Sequence, residues 1–194
     1  VALAQGGVIA AVKDTLLVGQ GPRLAGSDPR RGSVRWEVPV ASPRGANEVE
    51  RLADLVAPLL RLGDTVCMRA FQSAVGCVNA ERGNLLWSRT IGGTEGVAGN
   101  EQVIVGADAS DRLTAWRTAS GEVAWTSERL MYRSVSSPLA VGPTVVFVDG
   151  EGTVHWMSLD KGEPVLRLST DSSGAAAAPV ASGNTLLVVT RNGG

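Results

Sequence analysis

The chain has 194 residues, 44% hydrophobic and 19% charged, and its 18 basic residues against 19 acidic ones leave a formal net charge of −1. That balance belongs to an ordered globular protein, and without a Lys or Arg cluster it excludes a surface that tracks phosphates. The longest apolar stretches, Leu55–Leu60 and Thr185–Val189, fall far short of the roughly 20 residues of a membrane-spanning helix.

The chain opens at Val1 and closes at Gly194 just after a strand and a turn signal, so it reads as a piece of a larger protein. Its organising feature is an internal repeat of about 40 residues with several short strands per copy, the period of a propeller blade. A glycine followed four residues later by a large apolar residue marks each copy: Gly32 to Trp36, Gly83 to Trp87, Gly121 to Trp125 and Gly162 to Leu166, with glycine spacings of 51, 38 and 41. An apolar run after a turn lies upstream in each copy, at 14–18, 63–66, 100–105, 142–147 and 183–188. Five starts and four finishes make the last copy a truncated one.

In chain order, the blades are expected at 1–40, 56–92, 96–130 and 135–170, with a truncated blade at 176–194. Each reads as four short strands bounded by Gly, Asn and Asp turns. In the fourth they are Pro138–Val141, Thr144–Val148, Thr153–Leu159 and a last strand ending at the marker position. Pro58, Pro138 and Pro179 are read as strand openers, since proline cannot donate to a ladder. Trp36, Trp87 and Trp125 are expected to wedge between blades, burying a large ring while the indole nitrogen finds a carbonyl, and Gly32, Gly83 and Gly121 are their structural companions. The fold class is all-β: a β-propeller of the eight-bladed quinoprotein-like type, of which about four blades are present.

Between the first and second blades lies a surplus, 44–55. Over Asn47–Leu55 its Val49, Leu52 and Leu55 can line one face of a short helix. Such an insertion either contacts a partner or plugs the ring.

Chemistry finds few candidates. The one histidine, His155, lacks a second relay member and reads as a strand residue or a surface contact, so no catalytic site is expected. Cys67 and Cys77 are too few for a structural zinc site, and no other metal or cofactor site is indicated. A two-residue loop about 71–74 would set Cys67 opposite Val78, whereas one bulged residue would bring the sulfurs together. A disulfide and two buried thiols therefore both stand. Asp28, Asp108, Asp111, Asp149 and Asp160 sit singly at turns, where they can bond local backbone. The glycine stretch 92–96 opens no helix and reads as an inter-blade turn.

Several phrases in one order, 49–54, 66–72, 83–89, 132–139, 150–156 and 170–174, resemble the BamB family, the propeller lipoproteins of the outer-membrane β-barrel assembly machinery, and match its carboxy-terminal half. The resemblance implies a non-catalytic scaffold without cofactor at the periplasmic face of the outer membrane, lipid-anchored through a region absent from this chain. It implies binding to the POTRA domains of BamA and assistance to unfolded outer-membrane proteins. The family's two contact loops, Leu-x-Leu-Arg and Arg-Leu-x-Asp-x-Asp, fall on Val1, Leu3 and Ala4 and on Arg51, Leu52 and Asp54. Ala4 replaces the arginine and the second acid is missing. The oxidising compartment so implied permits a Cys67–Cys77 disulfide. The rival reading is a propeller fragment of a pyrroloquinoline-quinone-dependent dehydrogenase, whose blades carry the same tryptophan. Blades curved for a ring of eight also suggest that two copies associate into a two-fold ring.

Overall fold

A computed structural model describes residues 8–42 and 53–194. They form eighteen strands, with no helix among the described residues. Two compact units divide the chain, one comprising residues up to Gly96 with 119–121, the other Val97–Thr118 with Glu122–Gly194.

The first unit holds two four-stranded antiparallel sheets. One is β1 (Ile9–Val12), β2 (Thr15–Gln20), β3 (Arg23–Ser27) and β4 (Val34–Pro39), and the other is β5 (Leu55–Leu62), β6 (Thr65–Ala70), β7 (Ala74–Asn79) and β8 (Asn84–Thr90), each in sequential order. The second unit repeats the plan. It has β9 (Ala98–Gly99), β10 (Val103–Ala107), β11 (Leu113–Arg117) and β12 (Val123–Ser127), then β13 (Leu139–Val141), β14 (Thr144–Val148), β15 (Thr153–Ser158) and β16 (Pro164–Ser169). A two-stranded sheet of β17 (Val180–Ser182) and β18 (Thr185–Leu187) follows.

The middle strands are apolar runs rather than alternating ones because both faces of a sheet are covered. In β14, Val145 and Phe147 join the core built with Leu113, Ala115 and Met157. Val146 and Val148 join a different core, with Val154, Leu186 and Val188. Burying each such side chain contributes about 2 kcal/mol. The first unit's core gathers Leu17, Leu24, Val66, Met68 and Val78 in the same way.

The Gly and Trp of the repeat turn out to be two halves of different joints. In the first unit, Gly83 closes a turn in which its N–H donates to the Asn79 carbonyl at 2.9 Å. The Asn79 side chain accepts the Glu81 and Arg82 N–H groups. The turn needs φ of +67° at Gly83, and the Trp36 ring of the preceding sheet occupies the place of a Cβ. In the second unit Gly162, at φ +68°, meets Trp125 likewise, and the Trp125 indole N–H donates to the Leu159 carbonyl at 2.9 Å. Each glycine thus receives the tryptophan of the copy before it.

Two sequence expectations need correction. The marker residues do not end their strands: Trp36, Trp87, Trp125 and Leu166 lie inside β4, β8, β12 and β16. Arg35, Leu86, Ala124 and Val165, just before them, are each the extra residue at a register shift against the third strand. A bulge there re-aims the next side chain. Pro58 likewise does not open its strand but sits inside β5 where the register against β6 breaks between Val56 and Leu60, a position that tolerates a missing N–H. Pro138 and Pro179 immediately precede β13 and β17.

Candidate functional site

The residues assigned to partner contact are divided by the structure. Val1, Leu3, Arg51 and Leu52 lie outside the described residues, as does most of the 44–55 segment. Asp54 is described. Its carbonyl accepts the Phe71 N–H at 2.9 Å, and the next N–H, of Leu55, donates to the Gly21 carbonyl at 3.0 Å. Leu55 is therefore not on a helix: it pairs with Ala70 as the first residue of β5 and is buried. Backbone pairing with β6 outcompetes the local helical period.

Cys67 and Cys77 face each other across β6 and β7 and are joined by a disulfide, with both residues fully buried. The two-residue loop that would set Cys67 opposite Val78 is not formed; the expected extra residue that brings the sulfurs together is present, in the loop rather than as a bulge in a strand. Ala70 pairs with Ala74 around three residues, and Gln72 takes φ of +50°. That loop places the cysteines directly opposite.

The glycine stretch 92–96 acquires a partner that its sequence did not announce. Arg69, fully buried in β6, donates through Nε to the Glu95 carbonyl and through Nη1 to the Gly92 carbonyl at 3.1 Å. The loop thus presents carbonyl oxygens to a cation, the reverse of a phosphate-cradling nest.

The densest polar cluster lies in the second unit. After β14 the chain turns through Asp149, whose Oδ1 accepts the Glu151 and Thr153 N–H groups at 3.1 and 2.8 Å. This is the local backbone role expected of a turn aspartate, and Asp28 and Asp108 play it too. Asp149 goes further, because its Oδ2 accepts from Arg133 Nη1 at 2.8 Å and faces His155 Nε2 at 2.9 Å. The carboxylate is completely buried and His155 is nearly so. Burial pushes the Asp149 carboxyl up, but the His155 ring, the Thr153 N–H and the Arg133 guanidinium outweigh it and hold its pKa below the ordinary value. His155 is a strand residue whose ring is engaged by this carboxylate. The cluster is not legible in the sequence because Arg133, Asp149 and His155 come from a loop, a turn and a strand, and only packing joins them.

Two hollows flank the cluster. One, of about 230 Å³, touches Arg129, Leu130, Arg133, His155, Met157 and Arg167. The other, of about 540 Å³, lies on the side of Tyr132, Asp149, Glu151 and Arg191. Both belong to the second unit.

The family model described as outer membrane protein assembly factor BamB matches residues 1–127. Among curated relatives, the outer membrane protein assembly factor BamB of Burkholderia pseudomallei is 39% identical over 163 residues, 84% of this chain and 43% of the relative. Its counterpart in Alkalilimnicola ehrlichii is 31% identical over 183 residues, 94% of this chain and 48% of the relative. The Escherichia coli protein is 28% identical over 165 residues, 84% and 42% of the two chains. The chain therefore spans a little under half the length of these relatives. Among solved structures, BamB from Moraxella catarrhalis matches with a TM-score of 0.87 at 19% identity over 98% of this chain and 57% of that one. The computationally designed Ika8 protein matches with a TM-score of 0.56 at 12% identity, over 96% and 68%. The four-stranded sheets are blades of a β-propeller, and the chain belongs to the BamB family.

Proposed function

We propose that this chain is part of a non-catalytic scaffold subunit of the outer membrane protein assembly complex, held at the periplasmic face of the outer membrane, which binds the POTRA domains of BamA and assists insertion of β-barrel proteins. The observation that carries the reading is the match of residues 1–127 to the BamB family model, together with curated relatives named as assembly factors. The buried Cys67–Cys77 disulfide supports an oxidising compartment such as the periplasm. Asp54 is the described residue of the proposed contact, and the hydrogen bonds on either side of it give that contact a rigid base at the start of β5.

The test is binding of this chain to purified POTRA domains of BamA, alongside Asp54→Arg. Binding that falls at least about tenfold in the variant, at unchanged thermal stability, is the expected result, because reversing a charge at a contact replaces attraction by repulsion. Equal binding by both forms would remove Asp54 from the contact. No binding by either would sink the reading for this chain.

A further inference from the structure

The 230 Å³ hollow beside the buried cluster has a chemical character that the assembly role does not use. Three guanidinium groups, of Arg129, Arg133 and Arg167, surround it, and its apolar wall includes Leu130 and Met157, both buried. Among the described residues, no carboxylate lines it and neither Arg129 nor Arg167 forms an ion pair. The neighbouring acid, Asp149, already has both oxygens engaged.

The arrangement is built rather than incidental. Arg167 pairs directly with His155 across β15 and β16, so the two share one face of the sheet. Arg133 sits between Tyr132 and Ser134, two non-glycine residues with positive φ of 60° and 54°. Such conformations persist only where the surroundings over-determine them. Here the Tyr132 N–H donates to the Ser110 carbonyl at 3.0 Å, the Ser134 N–H to Asp111 at 2.8 Å, and the Gly150 N–H to the Arg133 carbonyl at 2.7 Å. The effect is to fix Arg133 between Asp149 and the hollow.

We propose that this hollow binds the end of an extended peptide, its terminal carboxylate held by Arg129 and Arg167 and its last, apolar side chain seated against Pro164 and Leu166, which line the hollow and are exposed. Asp149 already neutralises Arg133, but Arg129 and Arg167 stand beside the same cavity without an ion pair among the described residues, and a bound carboxylate supplies one, with arginine suited to grip it through paired N–H groups. A volume of about 230 Å³ suits one large side chain with its carboxylate. A peptide is favoured over a free small anion because β16 is the edge of its sheet, all six of its residues are exposed, and Pro164, Leu166 and Arg167 from it line the hollow. An edge offers backbone groups to an added extended chain. The proposal does not rest on contact with BamA, and failure of that binding leaves it standing.

The experiment measures fluorescence anisotropy of the 194-residue chain with a fluorescein-labelled Gly-Ser-Gly-Leu-Phe peptide bearing a free carboxylate, beside its carboxy-terminal amide. Saturable binding of the acid, with the amide weaker by roughly tenfold or more, is expected for a lost charge-assisted contact. The double variant Arg129→Gln with Arg167→Gln should lose the acid by a similar factor at an unchanged melting temperature. Should the double variant misfold, the two single variants and the acid-to-amide ratio in the parent decide the matter. Equal affinity for acid and amide, or full binding by folded variants, overturns the proposal. So does competition by octanoate as strong as that of unlabelled peptide acid, which would assign the hollow to a fatty anion instead.

Discussion

Asp149 shows how much one turn residue can carry. Its carboxylate caps its own turn and neutralises Arg133 beside a buried histidine, so replacing it by alanine leaves buried groups without their partner. Asp149→Ala is expected to lower stability by about 3 kcal/mol, read by urea unfolding at neutral pH. The pH dependence has a fixed sign. Because the folded-state pKa lies below the ordinary carboxylate value, the ionised group's full contribution is present above about pH 4 and is lost as pH falls through the folded pKa. The unfolding midpoint of the parent should therefore drop with acid below about pH 4 more steeply than that of Asp149→Asn. Parallel acid limbs for the two would contradict this account. Arg69 is a second such residue, since its buried guanidinium holds the 92–96 loop by its carbonyls, a role invisible in a strand that reads Thr-Val-Cys-Met-Arg-Ala.

Among the elements, the joint between a tryptophan and the glycine of the next copy separates two costs that usually travel together. Gly32 and Gly83 share the same positive-φ turn, at +70° and +67°, but a Cβ at Gly32 meets nothing within 4 Å whereas one at Gly83 collides with the Trp36 ring. Gly32→Ala should cost about 1 kcal/mol for the left-handed backbone alone, and Gly83→Ala about 2 kcal/mol more for displacing the ring. Comparison of urea midpoints checks the difference, and equal losses would deny the joint. The β6–β7 hairpin gives a further prediction. Its disulfide closes a short loop between residues ten apart, so the Cys67→Ala, Cys77→Ala pair should lower stability by about 2–3 kcal/mol, read by thermal unfolding against the parent with and without reductant.

At the scale of the whole molecule, the sheet of β17 and β18 leaves Val180 and Leu187 about half exposed, and β16 leaves Val165, Leu166 and Leu168 so. Apolar surface of this kind invites association. The two-copy association, which we propose, should appear in sedimentation as a mass that rises from one to two chains with concentration, and Leu187→Lys should hold the chain at one. A monomer at every concentration would dispose of it.

The sequence by itself determined the repeat, its four strands per copy and the residues that mark it, because strand period, turn residues and the Gly to Trp spacing are local properties of the chain. It also placed Asp28, Asp108 and Asp149 at turns, where a short acceptor side chain meets its own backbone, whereas Asp111, expected to do the same, accepts the distant Ser134 and Val135 N–H groups. Only the tertiary structure decided that Gly83, Gly121 and Gly162 each receive the tryptophan of the copy before, that a bulge precedes each marker residue, and that three residues in the hairpin loop set Cys67 against Cys77. Register is fixed by cross-strand pairing, which a one-residue change in a loop reverses. The Arg133, Asp149 and His155 cluster and the arginine-rimmed hollow beside it were likewise out of reach of the sequence. Their members, from Arg129 to Arg167, stand up to 38 residues apart and are brought together by packing of a loop on a sheet, for which no local pattern exists.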